Sequence, residues 1–304
     1  MTATSRNTTD NDNTTTGYTA TEDGETLNPN TFTTLKHIGL NAKGFKQSSL
    51  YIAEPLSDAD TVSIGETWLR PGELCIIKPT LMNTPALNVL NDEDIVIYAK
   101  SGMTTTDHCY VGRPYGGVAV ACKQRKNMQY TELDTMSDRI IGVTVCNNSD
   151  IVEIVLCVYM PFYNGEAYQT DCYADTIDVL QSVIEQFGAI FPVHIIGDLN
   201  AQLPKRRLLH RRWYRLPGFN KHSSILYDFI NDNDLCVADF TDPQHVQYTY
   251  FCDSTATYTW IDHCLTTSQN IVSCNIIPRH ADNVSDHLPI CLQRSQQRNQ
   301  ILEA

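Results

Sequence analysis

Carboxylate and amide side chains follow apolar runs at several places in this 304-residue chain. Glu66 follows the run that begins at Thr61, and Asp198 and Asn200 follow the run that begins at Val193. A carboxylate at the tip of a buried strand is costly unless its charge is compensated, and a hard divalent cation is a natural partner. If the chain stays extended, Asp198 and Asn200 point to the same side, where together they can orient a water and hold a phosphate oxygen.

Two acid–histidine groups lie nearer the C-terminus. Asp262 occurs inside an apolar run, and Asp286-His287 comes just before another. A carboxylate can hold a histidine in one tautomer, so that the ring presents a proton or a positive charge to a phosphate. Asn41 ends a predicted strand, and Tyr159 precedes Met-Pro; these two complete the candidate set.

Each of these residues also has an ordinary structural interpretation. Glu66 by itself is typical of a helix N-cap or a turn, and Gly-Asp-Leu-Asn is a common turn sequence. His287 alone would be an exposed turn histidine, and Asn41 and Tyr159 would be turn and core residues. The individual spacings leave both interpretations open.

The elements that must position these residues are mostly strands. Runs rich in β-branched residues predict strands over 35–41, 61–68, 94–99, 117–122, 140–146, 151–160, 193–198, 247–252, 257–265, 270–277 and 288–292. Several are apolar throughout, as expected of strands covered on both faces. Apolar residues at intervals of three and four predict helices over 171–187 and 222–235. Many strands with few helices favour an α/β sandwich in a single domain, residues 34–294.

The ends and the composition exclude other classes of protein. Residues 1–33 are rich in Thr, Asn and Asp, so we expect a disordered tail there and a shorter one over 295–304. No apolar run approaches the ~20 residues of a membrane span, and no secretory signal is visible. The eleven cysteines include no C-x-x-C pair, which argues against a zinc or redox motif and favours reduced thiols in an intracellular protein.

The charge is unevenly distributed. The net charge of −13 argues against a polyanionic partner, but residues 201–227 contain no Asp or Glu. Their basic residues are Lys205, Arg206, Arg207, Arg211, Arg212, Arg215 and Lys221. This basic segment directly follows Asp198 and Asn200, and its cations suit backbone phosphates. Trp213 and Phe219 lie within it and could stack on bases, although core packing is the simpler interpretation for each.

The motifs in their order resemble the endonuclease/exonuclease/phosphatase superfamily. They are Asn41, Glu66-Thr67-Trp68, Tyr159-Met160-Pro161, Gly197-Asp198-Leu199-Asn200, Ile261-Asp262-His263 and Ser285-Asp286-His287-Leu288-Pro289. The resemblance covers residues 35–293. Within the superfamily, the chain is most similar to the apurinic-like endonuclease domains of non-LTR retrotransposons, through Glu66-Thr67-Trp68-Leu69, Tyr115-Gly116-Gly117-Val118-Ala119 and Ser285-Asp286-His287-Leu288-Pro289.

The resemblance implies a four-layer α/β sandwich, with two packed mixed β-sheets flanked by helices. It also implies hydrolysis of a phosphodiester with Mg²⁺, or Mn²⁺ as an alternative ion, leaving a 3′-hydroxyl. The implied roles are metal binding for Glu66, Asn41 and Asp286, activation of water for Asp198, contact with the scissile phosphate for Asn200 and Tyr159, orientation of His287 for Asp262, and stabilisation of phosphoryl charge for His287.

The first hypothesis is a nuclear DNA endonuclease of retroelement origin that nicks a target strand. We expect it to bind no membrane and to need no obligate protein partner. The same superfamily includes enzymes that act on RNA and on phospholipids, and a domesticated copy that only binds nucleic acid is a third alternative. The basic segment favours a polynucleotide over a lipid. No reverse transcriptase follows Leu292, so we expect a fragment, a truncated copy or a stand-alone nuclease.

Overall fold

The structure, a computed structural model, describes residues 33–104, 111–204, 218–242 and 246–296. Within these ranges the α-helices are α1 (Phe45–Leu56), α2 (Ile77–Met82), α3 (Ala167–Phe187) and α4 (Lys221–Asp232). The strands are β1 (Thr33–Asn41), β2 (Thr61–Gly65), β3 (Ile95–Lys100), β4 (Val118–Lys123), β5 (Met128–Leu133), β6 (Ile140–Asn147), β7 (Asp150–Tyr159), β8 (Val193–Asp198), β9 (Cys236–Val237), β10 (Tyr250–Cys252), β11 (Thr257–Thr259), β12 (Asp262–Thr266), β13 (Ile271–Ile276) and β14 (Ile290–Gln296).

Most of these strands form two six-stranded sheets. The first sheet has the order β13-β14-β1-β2-β4-β3, and the second has the order β5-β6-β7-β8-β12-β9. Each sheet is mixed, because β1 pairs in parallel with β2, and β7 with β8, among antiparallel neighbours. Strands β10 and β11 form a separate hairpin.

Alternation along the strands divides the apolar side chains into three cores. In β4, Val118 and Val120 point between the sheets, while Ala119 and Ala121 point outward to helix α1. The outer face of the second sheet packs in the same way against α3 and α4, where Leu180 is fully buried. The expected four-layer sandwich of helices, sheet, sheet and helices is confirmed.

A buried charge joins the two sheets away from the site residues. Glu153 on β7 accepts a hydrogen bond of 2.6 Å from Arg294 on β14, and it lies 2.7 Å from His37 Nε2 on β1. Burial raises the pKa of the Glu153 carboxyl, but His37 and His194 outweigh burial and hold that pKa well below its usual range. Because a buried carboxylate requires such partners, this network links the sheets through specific residues.

Several predicted boundaries differ from the structure. The strand predicted over 61–68 ends at Gly65, and the one predicted over 257–265 is two strands, β11 in the hairpin and β12 in the second sheet. The strand predicted over 247–252 begins only at Tyr250, and the last strand runs from Ile290 to Gln296 rather than over 288–292. Helices α1 and α2 and strand β5 were not predicted.

Residues Thr34–Gln296 form one compact unit, and the first and last strands in the chain reach Thr33 and Gln296, just past the predicted limits of 34 and 294. The remaining residues of the two predicted tails lie outside the described residues. Among the described residues, no helix has the length and apolar character of a membrane span.

Candidate active site

Three site residues lie side by side at the ends of adjacent strands in the second sheet. The Cα atom of Tyr159 pairs with that of Asp198, and Asp198 pairs in turn with Asp262. Strands β7 and β8 are parallel and end here, whereas the antiparallel β12 begins here, so all three side chains meet at one edge. Strand register therefore places a phenol and two carboxylates in a row.

The glycine before Asp198 allows this close pairing. Gly197 has φ of +152°, and a Cβ atom at this position would lie 2.0 Å from the carbonyl oxygen of Val158 on the neighbouring strand. Any side chain would push β8 away from β7. The glycine in Gly-Asp-Leu-Asn thus has a packing reason, and it fixes the position of the carboxylate that follows.

The first sheet supplies Asn41 and Glu66. Asn41 ends β1 and pairs with Gly65 of β2, so Glu66 comes directly after that pair. Glu66 adopts φ of +51° and leaves the strand direction, which is why β2 is shorter than predicted. Asn41 Nδ2 donates a hydrogen bond of 2.9 Å to Asp198 Oδ2, and this bond connects the two sheets at the site.

Glu66 is connected to the second sheet through Tyr159. The Tyr159 hydroxyl donates a hydrogen bond of 2.6 Å to Glu66 Oε1. Burial, followed by the negative charges of Glu66 and Asp198, raises the pKa of the Tyr159 phenol. The phenol therefore remains a hydrogen-bond donor at any physiological pH.

His287 lies in the loop before β14 and faces Asp262. Its Nδ1 atom lies 2.9 Å from Asp262 Oδ2 and 3.1 Å from Oδ1, while Nε2 lies 4.0 Å from Asp198 Oδ2. Burial lowers the pKa of the imidazole, but the Asp262 carboxylate, with Asp198 and Asp286, outweighs burial and raises that pKa to about 9. His287 is therefore a buried imidazolium at neutral pH.

The environment of Asp198, in contrast, favours the neutral form of its side chain. Burial and the nearby Asp262 carboxylate raise its pKa from 3.8 to about 7, even though His287, Asn41 and Asn200 favour the charged form. Two buried carboxylates this close cannot both ionise at low cost. A proton or a cation is needed to compensate the second charge.

Asn200 bends back beneath Asp198. Its backbone N–H donates a hydrogen bond of 2.9 Å to Asp198 Oδ1, and its side-chain Nδ2 donates one of 2.9 Å to the carbonyl of Met160. The backbone of Asn200 has φ of +47°, a conformation that Asn tolerates better than most residues. The chain is therefore not extended here, and it is the backbone N–H of Asn200, rather than its side chain, that contacts the carboxylate.

Asp286 is half-buried and forms an ion pair with Lys43, and its Oδ1 atom lies 3.9 Å from His287 Nε2. The structure thus brings all eight predicted catalytic and metal-binding residues into one hydrogen-bonded or closely packed region. The basic residues predicted to bind nucleic acid, namely Lys205, Arg206, Arg207, Arg211, Arg212 and Arg215, lie outside the described residues.

The donor atoms of the region fit a hard divalent ion. Glu66, Asp198 and Asp286 offer carboxylate oxygens, which are the atoms that Mg²⁺ and Mn²⁺ prefer. Asp198, Asp262 and His287 have donor atoms within 4.8 Å of one another. His287 is protonated and already bound to Asp262, so the carboxylates at the margin of this group are the better ligands.

Four supporting residues were not predicted. Ser285 Oγ donates a hydrogen bond of 2.7 Å to the carbonyl of Asn41, and Thr249 Oγ1 accepts one of 3.0 Å from the N–H of Asp262. The ring of Tyr250 lies 4.9 Å from that of His287. The fourth is Lys43. Ser285 is part of a quoted motif, whereas nothing in the sequence pattern indicates the other three.

Residues 154–291 match a family model described as Endonuclease-reverse transcriptase. This range contains Tyr159, Asp198, Asn200, Asp262 and the Asp286-His287 pair, and it agrees with the motifs that first indicated the family. The match covers just under half of the chain, and it supports the resemblance to the endonuclease/exonuclease/phosphatase superfamily. No curated protein matches it significantly in sequence.

Two solved structures resemble the chain over most of its length. The catalytic domain of Xenopus laevis APE2 matches with a TM-score of 0.61 at 17% identity, covering 86% of this chain and 92% of that one. AP endonuclease LMAP from Leishmania major matches with a TM-score of 0.64 at 13% identity, covering 92% of each chain. At such low identity these likenesses establish the fold.

Proposed function

We propose that this chain is a Mg²⁺-dependent DNA endonuclease of the retroelement type, which nicks one strand and leaves a 3′-hydroxyl. The observation that carries the proposal is the continuous polar network through both sheets. It runs from Asn41 to Asp198, which approaches the His287–Asp262 ion pair, with the Glu66–Tyr159 pair beside it. Burying such a network is costly, and groups with strongly shifted pKa values cluster at functional sites.

Asp198 would be the general base. Its carboxylate is held by Asn41 and by the backbone of Asn200, and its pKa of about 7 allows it to accept a proton near neutral pH. It would take that proton from a water as the water oxygen bonds to phosphorus. The bond from phosphorus to the 3′-oxygen then breaks and the 3′-oxygen takes a proton from solvent, which leaves a 3′-hydroxyl on one fragment and a 5′-phosphate on the other.

His287 would stabilise the charge that develops on the phosphoryl oxygens. Its Nδ1–H is committed to Asp262, so the ring is fixed and Nε2–H points towards the Asp198 side of the region. An immobilised cation in a buried site acts strongly on such charge, because little reorganisation is needed. Asp262 would be a positioning residue that keeps the imidazole charged.

Glu66 would be the principal metal ligand, with Asn41 and Asp286 near it and with Tyr159 and Asn200 directed towards the phosphate. Bound Mg²⁺, or Mn²⁺ in its place, would neutralise charge on the phosphate and polarise it. The Tyr159 hydroxyl orients Glu66 at 2.6 Å before substrate binds. Positioning and charge neutralisation together supply most of the catalysis in phosphoryl transfer.

The rim of the region supports a polynucleotide substrate. Arg113 stacks on Trp68, 3.7 Å from the ring centre, just beyond Glu66. A depression of about 180 Å³ next to Tyr159 is lined by Arg139 and Asp138 and by the aromatic residues Tyr115 and Phe162, which are 49% and 66% exposed. Paired guanidinium and aromatic groups suit phosphates and bases, whereas a phospholipid would require an apolar edge.

The retroelement type, and with it a nuclear location, is supported by the Endonuclease-reverse transcriptase match over residues 154–291. The basic segment over 201–227 supports DNA as the partner. An RNA substrate and a binding module without catalysis are the competing outcomes, and the same assay distinguishes them.

The test measures nicking of supercoiled plasmid with Mg²⁺ and with a chelator. A matched RNA and an abasic duplex are assayed in parallel as alternative substrates. Asp198→Ala and His287→Ala should abolish nicking, whereas Asp175→Ala, an exposed carboxylate on α3, should cut as the wild type does. A DNA polymerase should extend the nicks directly if they carry a 3′-hydroxyl. Equal cutting by Asp198→Ala, His287→Ala and the wild type would show that the assigned roles are wrong.

A further inference from the structure

Lys43 is the cation that lies against Asp286 in the candidate active site. The Lys43 ammonium pairs with Asp286 Oδ2, although 243 residues separate the two in sequence. The Lys43 side chain is 41% exposed and that of Asp286 is 17% exposed. The pair is therefore only partly buried, and the Lys43 side chain remains accessible to solvent.

The backbone around Lys43 is held by the site itself. The N–H of Lys43 donates a hydrogen bond of 3.0 Å to Asn41 Oδ1, and the N–H of Gly44 donates one of 2.9 Å to the carbonyl of Glu66. Lys43 has φ of +49°, in the left-handed region where a non-glycine residue carries strain. Two hydrogen bonds to site residues offset this strain and aim the side chain.

The charges near Asp286 differ from those near Glu66. Asp286 faces the Lys43 ammonium at Oδ2, so this carboxylate is already paired with a positive charge. In the part of the chain that the structure describes, no cationic side chain pairs with Glu66, whose Oε1 accepts only the neutral phenol of Tyr159. A divalent ion is therefore attracted to Glu66 and is repelled from Asp286 by the Lys43 ammonium.

We propose that Lys43 is a built-in cation that occupies Asp286, so that the site takes one divalent ion, at Glu66, and Lys43 replaces a second. The proposal rests on the proposed function, because it assigns the charges of that same site. It revises the sequence-based expectation that Asp286 binds the metal.

The test counts bound ions. Mn²⁺ is titrated into the full chain, and binding is followed by calorimetry and by the electron paramagnetic resonance of free Mn²⁺. The wild type should bind one Mn²⁺ ion per chain. Lys43→Met removes the charge at similar length, and it should bind a second Mn²⁺ ion. Lys43→Arg restores the cation and should return the count to one, as should Lys43→Met combined with Asp286→Asn.

Lys46→Met is the matched control, because this neighbouring lysine pairs with Glu73 and should leave the count at one. Glu66→Gln should abolish the first site. Two ions on the wild type, or one ion on Lys43→Met with normal thermal stability, would overturn the inference. If nicking is normal but the ion counts are wrong, only the inference about Lys43 fails. If the ion counts are as expected but no nicking occurs, only the proposed function fails.

Discussion

Asn41 and Asp198 lie 157 residues apart in sequence, yet Asn41 Nδ2 donates a hydrogen bond of 2.9 Å to Asp198 Oδ2 across the two sheets. Both side chains are almost completely buried. The bond therefore does two things. It stabilises the contact between the sheets at the site, and it stabilises the ionised form of a carboxyl group whose pKa burial raises.

Replacement of Asn41 by Ala should destabilise the fold and weaken catalysis together. A hydrogen bond to a charged group contributes ~1.5–3 kcal/mol, so we expect the free energy of unfolding in urea to fall by about that amount. Nicking should also require a higher pH, because Asp198 loses a group that lowers its pKa. Asn88→Ala, at an exposed position, is the control. An unchanged urea midpoint for Asn41→Ala would contradict this expectation.

Replacement of Asp262 by Asn should alter how stability depends on pH. In the folded protein the pKa of His287 is raised from 6.5 to about 9, so the His287–Asp262 pair stabilises the fold fully below pH 6.5, and that stabilisation is lost as the pH rises through 9. The metal-free wild type should exceed Asp262→Asn by roughly 3 kcal/mol below pH 6.5, and the difference should shrink towards pH 9.

The prediction for Asp262 is checked by thermal unfolding in the presence of a chelator at several pH values between pH 5 and pH 10. An NMR titration of His287 complements it. In Asp262→Asn, burial without the carboxylate should bring the pKa of His287 down. Asp282→Asn disrupts an exposed pair with His280 and should reproduce the wild-type curve. If the difference in stability between the wild type and Asp262→Asn grew with pH, the predicted pH dependence would be wrong.

Replacement of Tyr159 by Phe should separate catalysis from folding. The substitution removes only the hydroxyl that donates to Glu66, so the fold should lose about 1 kcal/mol, while the nicking rate should fall roughly 10²-fold. Tyr98→Phe, which removes a hydroxyl bonded to the carbonyl of Tyr130 outside the site, should cut normally. Equal rates for the two variants would exclude Tyr159 from the mechanism.

Reversal of Arg211 and Arg212 to Glu should weaken DNA binding and flatten its dependence on salt, because each phosphate contact contributes to the slope of affinity against salt concentration. This prediction depends on the charge pattern alone, since both residues lie outside the described residues. The reversals Lys78→Glu and Lys126→Glu, made together elsewhere on the chain, are the control. If both pairs of reversals give the same slope, the basic segment does not contact DNA.

Local sequence patterns predicted the fold well where strands are covered on both faces. The runs that became β7 and β8 are rich in β-branched and other apolar residues, with Glu153 and His194 as buried exceptions, so their positions followed from composition. The pattern failed at Trp260 and Ile261, where one apolar run divides between the hairpin and the second sheet. Periodicity does not reveal such a break, because it depends on which sheet each half can pair with.

The sequence by itself determined the residue types of the site and the order in which they occur, since each lies within or beside an apolar run that must be buried. The tertiary structure decided the partners: Asn41 with Asp198, Tyr159 with Glu66, and Lys43 with Asp286. These pairs are far apart in the chain, and strand register together with the packing of two sheets brings them into contact. Their pKa values follow from burial and from the nearest charge, and both exist only in the folded chain.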